Sequence, residues 1–383
     1  MFIRFAYLVI GFVLIIPVAC APKAAPEVQP QVSRETAKVQ TETVKTGWQA
    51  EWDKLIQAAN KEGEVVIFAQ AEPVTRNNLI EGFNKTFPGI KVEYTGMGGS
   101  AIAARITAER RAGLYTVDLD IHGTTTALAQ LRSFAIPIKP LLILPEVKDP
   151  KYWWGNKLDF SDEAEEINLV MVISINPGVG INTDLVNPQE FTSWWDMTKP
   201  KWKGKIIAHD PRYAGVGLAS ATFWYLHPEL GIDFIKAFAA NQPVLSQDRR
   251  LIVESVARGK YAIALGPADA FLDEFVDLGM PIRMTNMLKE GTFESAGWAS
   301  LVAMDKAPHP NARTVFLNWL LGKEGQTILS KSAGYASRRL DVPTDHLKSW
   351  AIPDPNVNYL PSHKEKYVNM RDEIVQKLKE VFP

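Results

Sequence analysis

Short apolar runs alternate with amphipathic stretches from about residue 47 to the end of the chain. The stretch 47–62 has apolar side chains at helical spacing, with Gly63 as its predicted C-cap. The next run, 64–69, is almost wholly apolar, which is typical of a strand covered on both faces. Further strands are predicted at 90–94, 117–121, 169–175, 205–208, 261–265 and 298–304, and further helices at 76–87, 100–112, 218–226, 232–240, 249–258, 311–321 and 363–381, with another beginning near 124. This alternation predicts an α/β fold with parallel sheets.

The first twenty residues follow a different pattern. Arg4 is followed by an unbroken apolar run at 5–18 and then by Ala19 and Cys20. A run of about fourteen apolar residues is shorter than the roughly twenty that a membrane-spanning helix needs. The pattern therefore predicts a signal peptide at 1–20, with an uncleaved membrane anchor as the alternative.

Cys20 is the only cysteine in the 383 residues, and it follows the small residue Ala19. The sequence Pro17-Val18-Ala19-Cys20 resembles a bacterial lipobox, although Pro17 stands where lipoboxes usually have leucine. The resemblance implies that Cys20 carries a lipid, so that the protein is exported and anchored to the membrane on its periplasmic or extracellular side. An inert, small hydrophobic cysteine is the alternative.

Residues 21–46 are rich in Ala, Pro, Val, Gln, Thr and Glu and have no apolar periodicity, which predicts a disordered tether. The remaining residues are long enough for two hydrophobic cores. The whole chain is 46% hydrophobic and has a formal net charge of -1 without a basic block, so nucleic acid is not expected as a partner.

Four segments of the chain carry a resemblance to a known family. The N-terminal segment VVIFAQAEPVTRNNLIEGFNKTFPGIKVEYTGMGGSAIAARITAERRAGLYTVDLDI is followed in order by DPRYAGVGLAS, GKYAIALGPADAF and WASLVAMDKAPHPNARTVFLNWLLGKEGQ. Together they resemble extracellular solute-binding proteins of ABC importers, in the branch that contains ferric-iron, thiamine and polyamine binders. The resemblance implies a monomer that captures a small solute and delivers it to permease and ATPase subunits.

The same resemblance implies an α/β fold of the type II periplasmic-binding-protein class, in which a hinge joins two lobes around a ligand cleft. Lobe 1 is expected at 47–168 and 294–335, and lobe 2 at 175–290 and 340–383. The chain is expected to cross between the lobes near 170–182 and 290–297.

Loops that follow the predicted strands supply the candidate ligand-binding residues, because helix N-termini and unpaired N–H groups line the crevice of open α/β sheets. The candidates are Gln70, Glu72, Gly99, Ser100, His122, Gly123, Thr124, Arg212, Tyr213, Gly215 and Asp269. Several have structural alternatives. Glu72, Ser100, Thr124 and Asp269 also fit as helix caps, and Gly99 also fits a tight turn. Arg212 also fits as a partner of Asp210 or Asp248, and Tyr213 also fits the core.

The resemblance to ferric binders fails at their iron ligands. Ala71 stands where these proteins commonly have histidine, and Asp269-Ala270 stands where they have paired tyrosines. The six histidines show no metal-ligand spacing, so no metal and no cofactor are predicted. The glycine-rich loops and Arg212 favour an anionic solute or a metal chelate.

A catalytic role is not predicted, because the chain has no G-x-S-x-G, Walker A or strand-following G-x-G-x-x-G motif. The main alternative to import is a tethered sensor that binds a solute and reports it to a partner. An enzyme on the same fold is a further alternative.

Overall fold

The computed structural model describes residues 47–176, 178–266 and 270–383. The predicted signal peptide, Cys20, the tether and Asp269 lie outside these ranges. The helices are α1 Gly47–Glu62, α2 Pro73–Thr86, α3 Gly99–Arg111, α4 Thr124–Thr126, α5 Pro145–Lys148, α6 Val216–Leu226, α7 Gly231–Ala240, α8 Arg249–Ala257, α9 Ala270–Asp277, α10 Pro310–Leu321, α11 Lys323–Ala333, α12 Glu365–Asn369 and α13 Arg371–Val381.

Sixteen strands are described within the same ranges. They are β1 Glu64–Ala69, β2 Lys91–Gly96, β3 Leu119–His122, β4 Ala135–Ile136, β5 Asp159–Phe160, β6 Leu169–Val170, β7 Val172–Ile175, β8 Gly180–Asn182, β9 Ile206–His209, β10 Val244–Ser246, β11 Ile263–Leu265, β12 Ile282–Met284, β13 Phe293–Ser295, β14 Ser300–Met304, β15 Ala336–Ser337 and β16 Leu360–Pro361.

The first sheet has seven strands in the order β2-β1-β3-β14-β6-β5, with β4 pairing to β14. β1 is parallel to both β2 and β3, as strand-helix-strand units require. The predicted helix at 47–62 is confirmed, and it ends at Gly63, whose φ of 78° is easily adopted only by glycine. The parallel core places the loops after β1 and β3 at one edge of the sheet.

The second sheet has five strands in the order β10-β9-β11-β8-β12. β9 is parallel to β10 and β11, whereas β8 is antiparallel to β11 and β12. Aromatic side chains fill its core, where Trp194 and Trp224 lie 5.5 Å apart between ring centroids and both are buried. Ile374 and Leu378 of α13 pack into the same core, so the C-terminal helix belongs to this half of the molecule.

A small third sheet, ordered β15-β7-β13-β16, connects the two large ones. The chain passes from β6 of the first sheet through β7 to β8 of the second, and it returns from β12 through β13 to β14. β7 and β13 pair in antiparallel fashion, so the two crossing segments lie side by side. Both fall within the crossing regions expected from the sequence.

Two predicted elements are divided in the structure. The strand expected at 169–175 changes sheets at Met171, and the helix expected at 363–381 is broken at Met370 into α12 and α13. In both cases the pattern of apolar side chains continues across the break, and that pattern does not report a change of direction. The second break places Arg371 at the start of a helix.

None of the helices in the described ranges is long and apolar enough to cross a membrane.

Candidate functional site

A cavity of about 380 Å³ lies where the three sheets meet. Its lining comes from the loops after β1 and β9, the end of β3, the starts of α3 and α6, the strands β7 and β13, and the C-terminal segment. β1 and β3 are parallel neighbours, so Gln70 and His122 arrive at the same edge of the first sheet. The volume is that of a typical small-molecule site.

The structure brings most of the predicted ligand-binding residues together. Those lining the cavity are Gln70, Glu72, Gly99, Ser100, His122, Gly123, Thr124 and Gly215. Arg212 and Tyr213 are not part of the lining, and Asp269 lies outside the described residues. Contact with a ligand stays a prediction for all of them.

The helix-cap alternative is wrong for Ser100 and Thr124 but not for Glu72. Glu72 occupies the N-cap position of α2, although its side chain makes no capping hydrogen bond within the described chain. Ser100 lies inside α3, which begins after Gly98, and Thr124 lies inside α4, which begins after Gly123. All three side chains belong to residues that line the cavity.

The helices α3 and α6 begin at the cavity without a side-chain cap. Their N-cap residues are Gly98 and Gly215, which have no side-chain oxygen to accept from the first backbone N–H groups. Gly215 has a φ of 138°, and a Cβ there would lie 2.8 Å from Cε1 of His209, so another residue would not fit. Two helix N-termini at one cavity favour negative charge in it.

His122 forms a buried pair with Asp120. Its Nδ1 lies 2.8 Å from Oδ1 of Asp120, and its Nε2 lies 3.1 Å from the carbonyl oxygen of Met97. Burial alone would lower the pKa of His122, but the hydrogen bonds to Asp120 and Met97 outweigh it and raise that pKa. The pair holds one proton between the two groups, so together they add no net charge to the cavity.

Arg371 is the main lining residue that the sequence did not suggest. Its guanidinium donates to Oγ1 of Thr125 and, over 3.0 Å, to the carbonyl oxygen of Ser362, while Nε has no partner among the described residues. Part of the side chain stays accessible, but surrounding protein removes most of its hydration and lowers its pKa to about 10. It therefore remains cationic at neutral pH, and no carboxylate of the described chain pairs with it.

The signal for Arg371 was hidden by the continuous helical pattern of 363–381, in which it looked like one more exposed basic residue. Asn176 and His363 also line the cavity and were missed as site residues. Asn176 directly follows a buried strand. The argument that residues after strands line the crevice would therefore have predicted it as well. His363 carried no recognisable spacing.

A buried charge network lies behind this part of the cavity. Arg338 contacts Asp159 at 3.0 Å and Glu294 at 3.1 Å, and Lys364 contacts Asp159 at 2.5 Å. Burial would raise the pKa of Asp159, but the hydrogen bond from His363 and the charges of Arg338 and Lys364 hold that pKa far below its ordinary range. Oxygen and nitrogen atoms of Asp159, Glu294 and His363 also lie within 4.8 Å of one another. Because two cationic side chains already occupy the carboxylates, the cluster is a salt-bridge network.

Arg212 is held away from the cavity by two interactions. Its Nε and Nη2 donate to the two carboxylate oxygens of Asp210 at 3.0 and 2.8 Å, and its Nη1 donates to the carbonyl oxygen of Phe382 at 2.8 Å. The alternative pairing with Asp210 is therefore confirmed. Tyr213 is 51% exposed, so it is not a core residue. Arg212 ties the loop after β9 to the C-terminus.

We expect Arg212→Ala to separate the two readings of this residue. If it only ties down the C-terminus, the substitution lowers the free energy of unfolding by about 0.5 to 1.5 kcal/mol and leaves solute affinity unchanged. A ligand contact would instead weaken an anionic solute by about 1.5 to 3 kcal/mol. Urea unfolding and calorimetric titration on the same preparation measure both quantities.

The chain matches a family model described as bacterial extracellular solute-binding protein over residues 78–354. An uncharacterized protein of Haemophilus influenzae is 24% identical over 321 residues, which are 79% of this chain and 86% of that protein.

Solved structures show the same architecture. The periplasmic binding protein AfuA from Actinobacillus pleuropneumoniae, with exogenous fructose-6-phosphate bound, is 20% identical with a TM-score of 0.61 over 83% of this chain and 98% of that one. Iron-bound HitA from Pseudomonas aeruginosa is 15% identical with a TM-score of 0.62 over 83% and 99%. The spermidine/putrescine ABC transporter substrate-binding protein PotD from Streptococcus pneumoniae, in complex with calcium and HEPES, is 15% identical with a TM-score of 0.62 over 84% and 99%. The predicted fold class, two α/β lobes of the type II class, is confirmed.

Proposed function

The chain belongs to the family of bacterial extracellular solute-binding proteins, the substrate-binding components of ABC importers, and from this premise we propose that its solute is a small anion. The family membership and the import role agree with the expectations from the sequence. The cargo, the residues that bind it and the way the lobes move are the further content of the proposal.

The observation that carries the proposal is the cationic guanidinium of Arg371 in the cavity lining. It has only neutral oxygen acceptors among the described residues, and a charge that has lost most of its hydration without gaining a counter-charge is unfavourable. An anion in the cavity would supply the missing counter-charge. The uncapped N-termini of α3 and α6 add N–H donors and positive dipole ends to the same space.

The balance of charges in the lining supports the same choice. Arg249 and Glu72 each make interactions of their own, the His122–Asp120 pair contributes no net charge, and Arg371 has no carboxylate partner among the described residues. In the buried network behind the cavity, the carboxylates of Asp159 and Glu294 are balanced by the cations of Arg338 and Lys364. Because His363 is uncharged, the network has no net charge. The cation of Arg371, which lacks a counter-charge in the described chain, favours an anion over a polyamine.

The ligands of two structural neighbours help to choose between a phosphate-bearing solute and a bare iron ion. AfuA was solved with a sugar phosphate and HitA with iron. A bare ferric ion needs hard anionic ligands, and this chain has Ala71 and Asp269-Ala270 where ferric binders commonly have histidine and tyrosines. The phosphate-bearing solute is therefore the better analogy.

For the mechanism, we assign lobe 1 to 47–168 and 294–335 and lobe 2 to 175–290 and 340–383. Closure would bend the crossing strands β7 and β13, which pair with each other in the small sheet. Gln70, Glu72, Gly99, Ser100, His122, Gly123 and Thr124 would then hold the solute from lobe 1. Gly215 and Arg371 would hold it from lobe 2.

Closure predicts a more compact particle with solute than without it. Small-angle X-ray scattering of the purified protein should show a smaller radius of gyration at saturation. An identical radius in both states would contradict hinge closure. A non-binding variant such as Arg371→Met, measured with the same solute, controls for effects of the solute on the scattering.

The test of the proposed function is the identity of the solute that co-purifies. Mass spectrometry of the material released by denaturing the protein should find a small anion, chemically intact. A neutral or cationic compound would contradict the anionic assignment. Chemical conversion of the compound by the purified protein would favour an enzyme instead.

The proposal also includes export, lipidation of Cys20, a tether at 21–46 and a monomeric state. The lipid anchor is supported by the lipobox-like sequence that ends at Cys20. A tethered sensor would bind its solute through the same residues, so the discriminating observation is solute uptake. Loss of uptake on deletion of the gene favours import, and unchanged uptake favours sensing.

A further inference from the structure

Several side chains of the cavity lining have buried polar atoms without a hydrogen-bond partner in the described chain. Asn176, His363 and Arg371 are among them. Buried polar groups in folded proteins are nearly always hydrogen-bonded, so such groups at a cavity indicate what the bound molecule must supply.

Asn176 presents both a donor and an acceptor. Its Nδ2 and Oδ1 are buried and unpartnered within the described residues, and the residue is only 2% exposed. Its backbone carbonyl, in contrast, accepts a hydrogen bond from Thr292. A hydroxyl group can donate to Oδ1 and accept from Nδ2, which matches this amide.

His363 presents an acceptor. Its Nε2 lies 2.8 Å from Oδ2 of Asp159, and because that carboxyl stays ionised, Nε2 carries the proton and donates. Burial lowers the pKa of His363, so its other nitrogen, Nδ1, holds a lone pair and no proton. Nδ1 is buried and has no partner among the described residues, so it can accept from a hydroxyl but would repel an anionic oxygen.

The register of the small sheet separates these two residues. Ile175 pairs with Glu294, and Glu294 pairs with Pro361, so Asn176 follows β7 at one end while His363 follows β16 at the other. β13 lies between β7 and β16, so two strand spacings, on the order of 10 Å, separate the two strands that lead to these residues. The two side chains therefore reach the lining from different strands.

We propose that the solute is a hydroxylated anion, a sugar or polyol that bears a phosphate or a carboxylate. The anionic group binds at Arg371 and the helix N-termini, and hydroxyls bind at His363 and Asn176. His363 lies next to Ser362, whose carbonyl oxygen accepts from Arg371, so one hydroxyl sits close to the anionic group. The inference rests on the proposed function, because it adds hydroxyls to an anion that Arg371 binds.

Calorimetric titration with matched probes tests it. Glucose 6-phosphate, fructose 6-phosphate and gluconate are the hydroxylated anions, hexyl phosphate and hexanoate are the aliphatic ones, inorganic phosphate is the bare anion, and glucose is the neutral sugar. We expect at least one hydroxylated anion to bind 10-fold or more tightly than its aliphatic counterpart, inorganic phosphate and glucose. The phosphate and carboxylate pairs identify which anionic group is preferred.

The other outcomes are distinguishable. Equal affinity for hydroxylated and aliphatic anions, or tightest binding of inorganic phosphate, overturns this inference and leaves the proposed function standing. Tightest binding of glucose overturns the proposed anionic solute as well. Binding of none of the probes at 10 mM overturns the hydroxylated-anion assignment, while the co-purified solute still decides the proposed function.

Asn176→Leu separates a ligand role from a structural one. The substitution removes two buried polar atoms that have no partner among the described residues, so the melting temperature without solute should rise by about 1 to 3 °C. The preference for the hydroxylated over the aliphatic anion should fall about 10-fold. A lower melting temperature with an unchanged preference would overturn the assignment of Asn176.

Asn182→Leu is the matched control. Asn182 is equally buried but satisfied, since its Nδ2 donates to the carbonyl of Val256 at 2.8 Å and its Oδ1 accepts from the N–H of Asp184 at 2.9 Å. Its replacement should lower the melting temperature and leave the preference intact. If Asn176→Leu does not fold, Asn176→Asp serves instead and should weaken the anions but not glucose, and equal weakening of both would contradict the assignment.

Discussion

Arg371→Met is expected to weaken binding of the anionic solute by about 2 to 5 kcal/mol, or roughly 30-fold to several thousand-fold. The guanidinium has lost most of its hydration and has no carboxylate partner among the described residues, so a bound anion meets a charge that water screens poorly. Methionine keeps a side chain of similar length without the charge or the donors. Calorimetric titration with the co-purified solute measures the change.

The same substitution should not destabilise the protein without solute. It removes a largely desolvated cation whose acceptors among the described residues are only Thr125 and the Ser362 carbonyl, so the free energy of unfolding should stay the same or increase. Arg371→Lys keeps the charge but loses the planar fork, and it should bind with intermediate affinity. The combination of lost affinity and retained stability distinguishes a binding residue from a structural one.

Arg258→Met is the matched control for Arg371. Arg258 is an exposed arginine paired with Glu254 four residues earlier on α8, outside the cavity lining. Its replacement should leave affinity within about two-fold, because an exposed pair contributes at most about 1 kcal/mol to stability and makes no contact with the solute. Equal affinities for the Arg371→Met protein and the unaltered protein would remove the basis of the proposed anionic solute.

Arg338→Met is expected to lower the free energy of unfolding by about 3 to 5 kcal/mol. Arg338 is 3% exposed and lies between two buried carboxylates, Asp159 and Glu294. Its removal leaves Glu294 buried without a cation, although Asp159 keeps Lys364. The urea midpoint, followed by circular dichroism, reports the loss.

Acid provides a second readout of the same network. The pKa of Asp159 is held far below its ordinary value of about 3.9, so this group stabilises the fold above that pH and the contribution is lost as the pH falls below it. In Arg338→Met the pKa of Asp159 rises toward the ordinary value. The loss of stability on acidification should then be smaller than in the unaltered protein.

Arg250→Met is the control for Arg338, because Arg250 makes a two-point contact with Glu274 at the surface. An exposed pair of this kind contributes about 0 to 1 kcal/mol. A similar loss of unfolding free energy in both variants would show that burial does not increase the contribution of Arg338 to stability. Loss of stability confined to Arg338→Met would support the network as the element that holds the crossing strand β13 to the C-terminal segment.

Much of the architecture was evident in local patterns. The apolar runs and their breaks predicted α1, β1 and the helices that follow, because hydrophobic periodicity and glycine caps act over a few residues. The order of the segments predicted the two-lobed fold and the family. The loops after β1 and β3 were predicted as a site because parallel strands end at one edge.

The parts of the site that depend on distant segments were not evident in those patterns. Arg371 lies some 250 residues from Thr125, and its position at the cavity follows from the break at Met370, which the helical pattern of 363–381 conceals. Arg212 looked like an anion-binding residue beside glycines, but Asp210 and the carbonyl of Phe382 engage it first. Whether a charged side chain is used by a ligand or by the protein depends on which partner the folded chain brings within hydrogen-bond distance, and only the tertiary structure decides that.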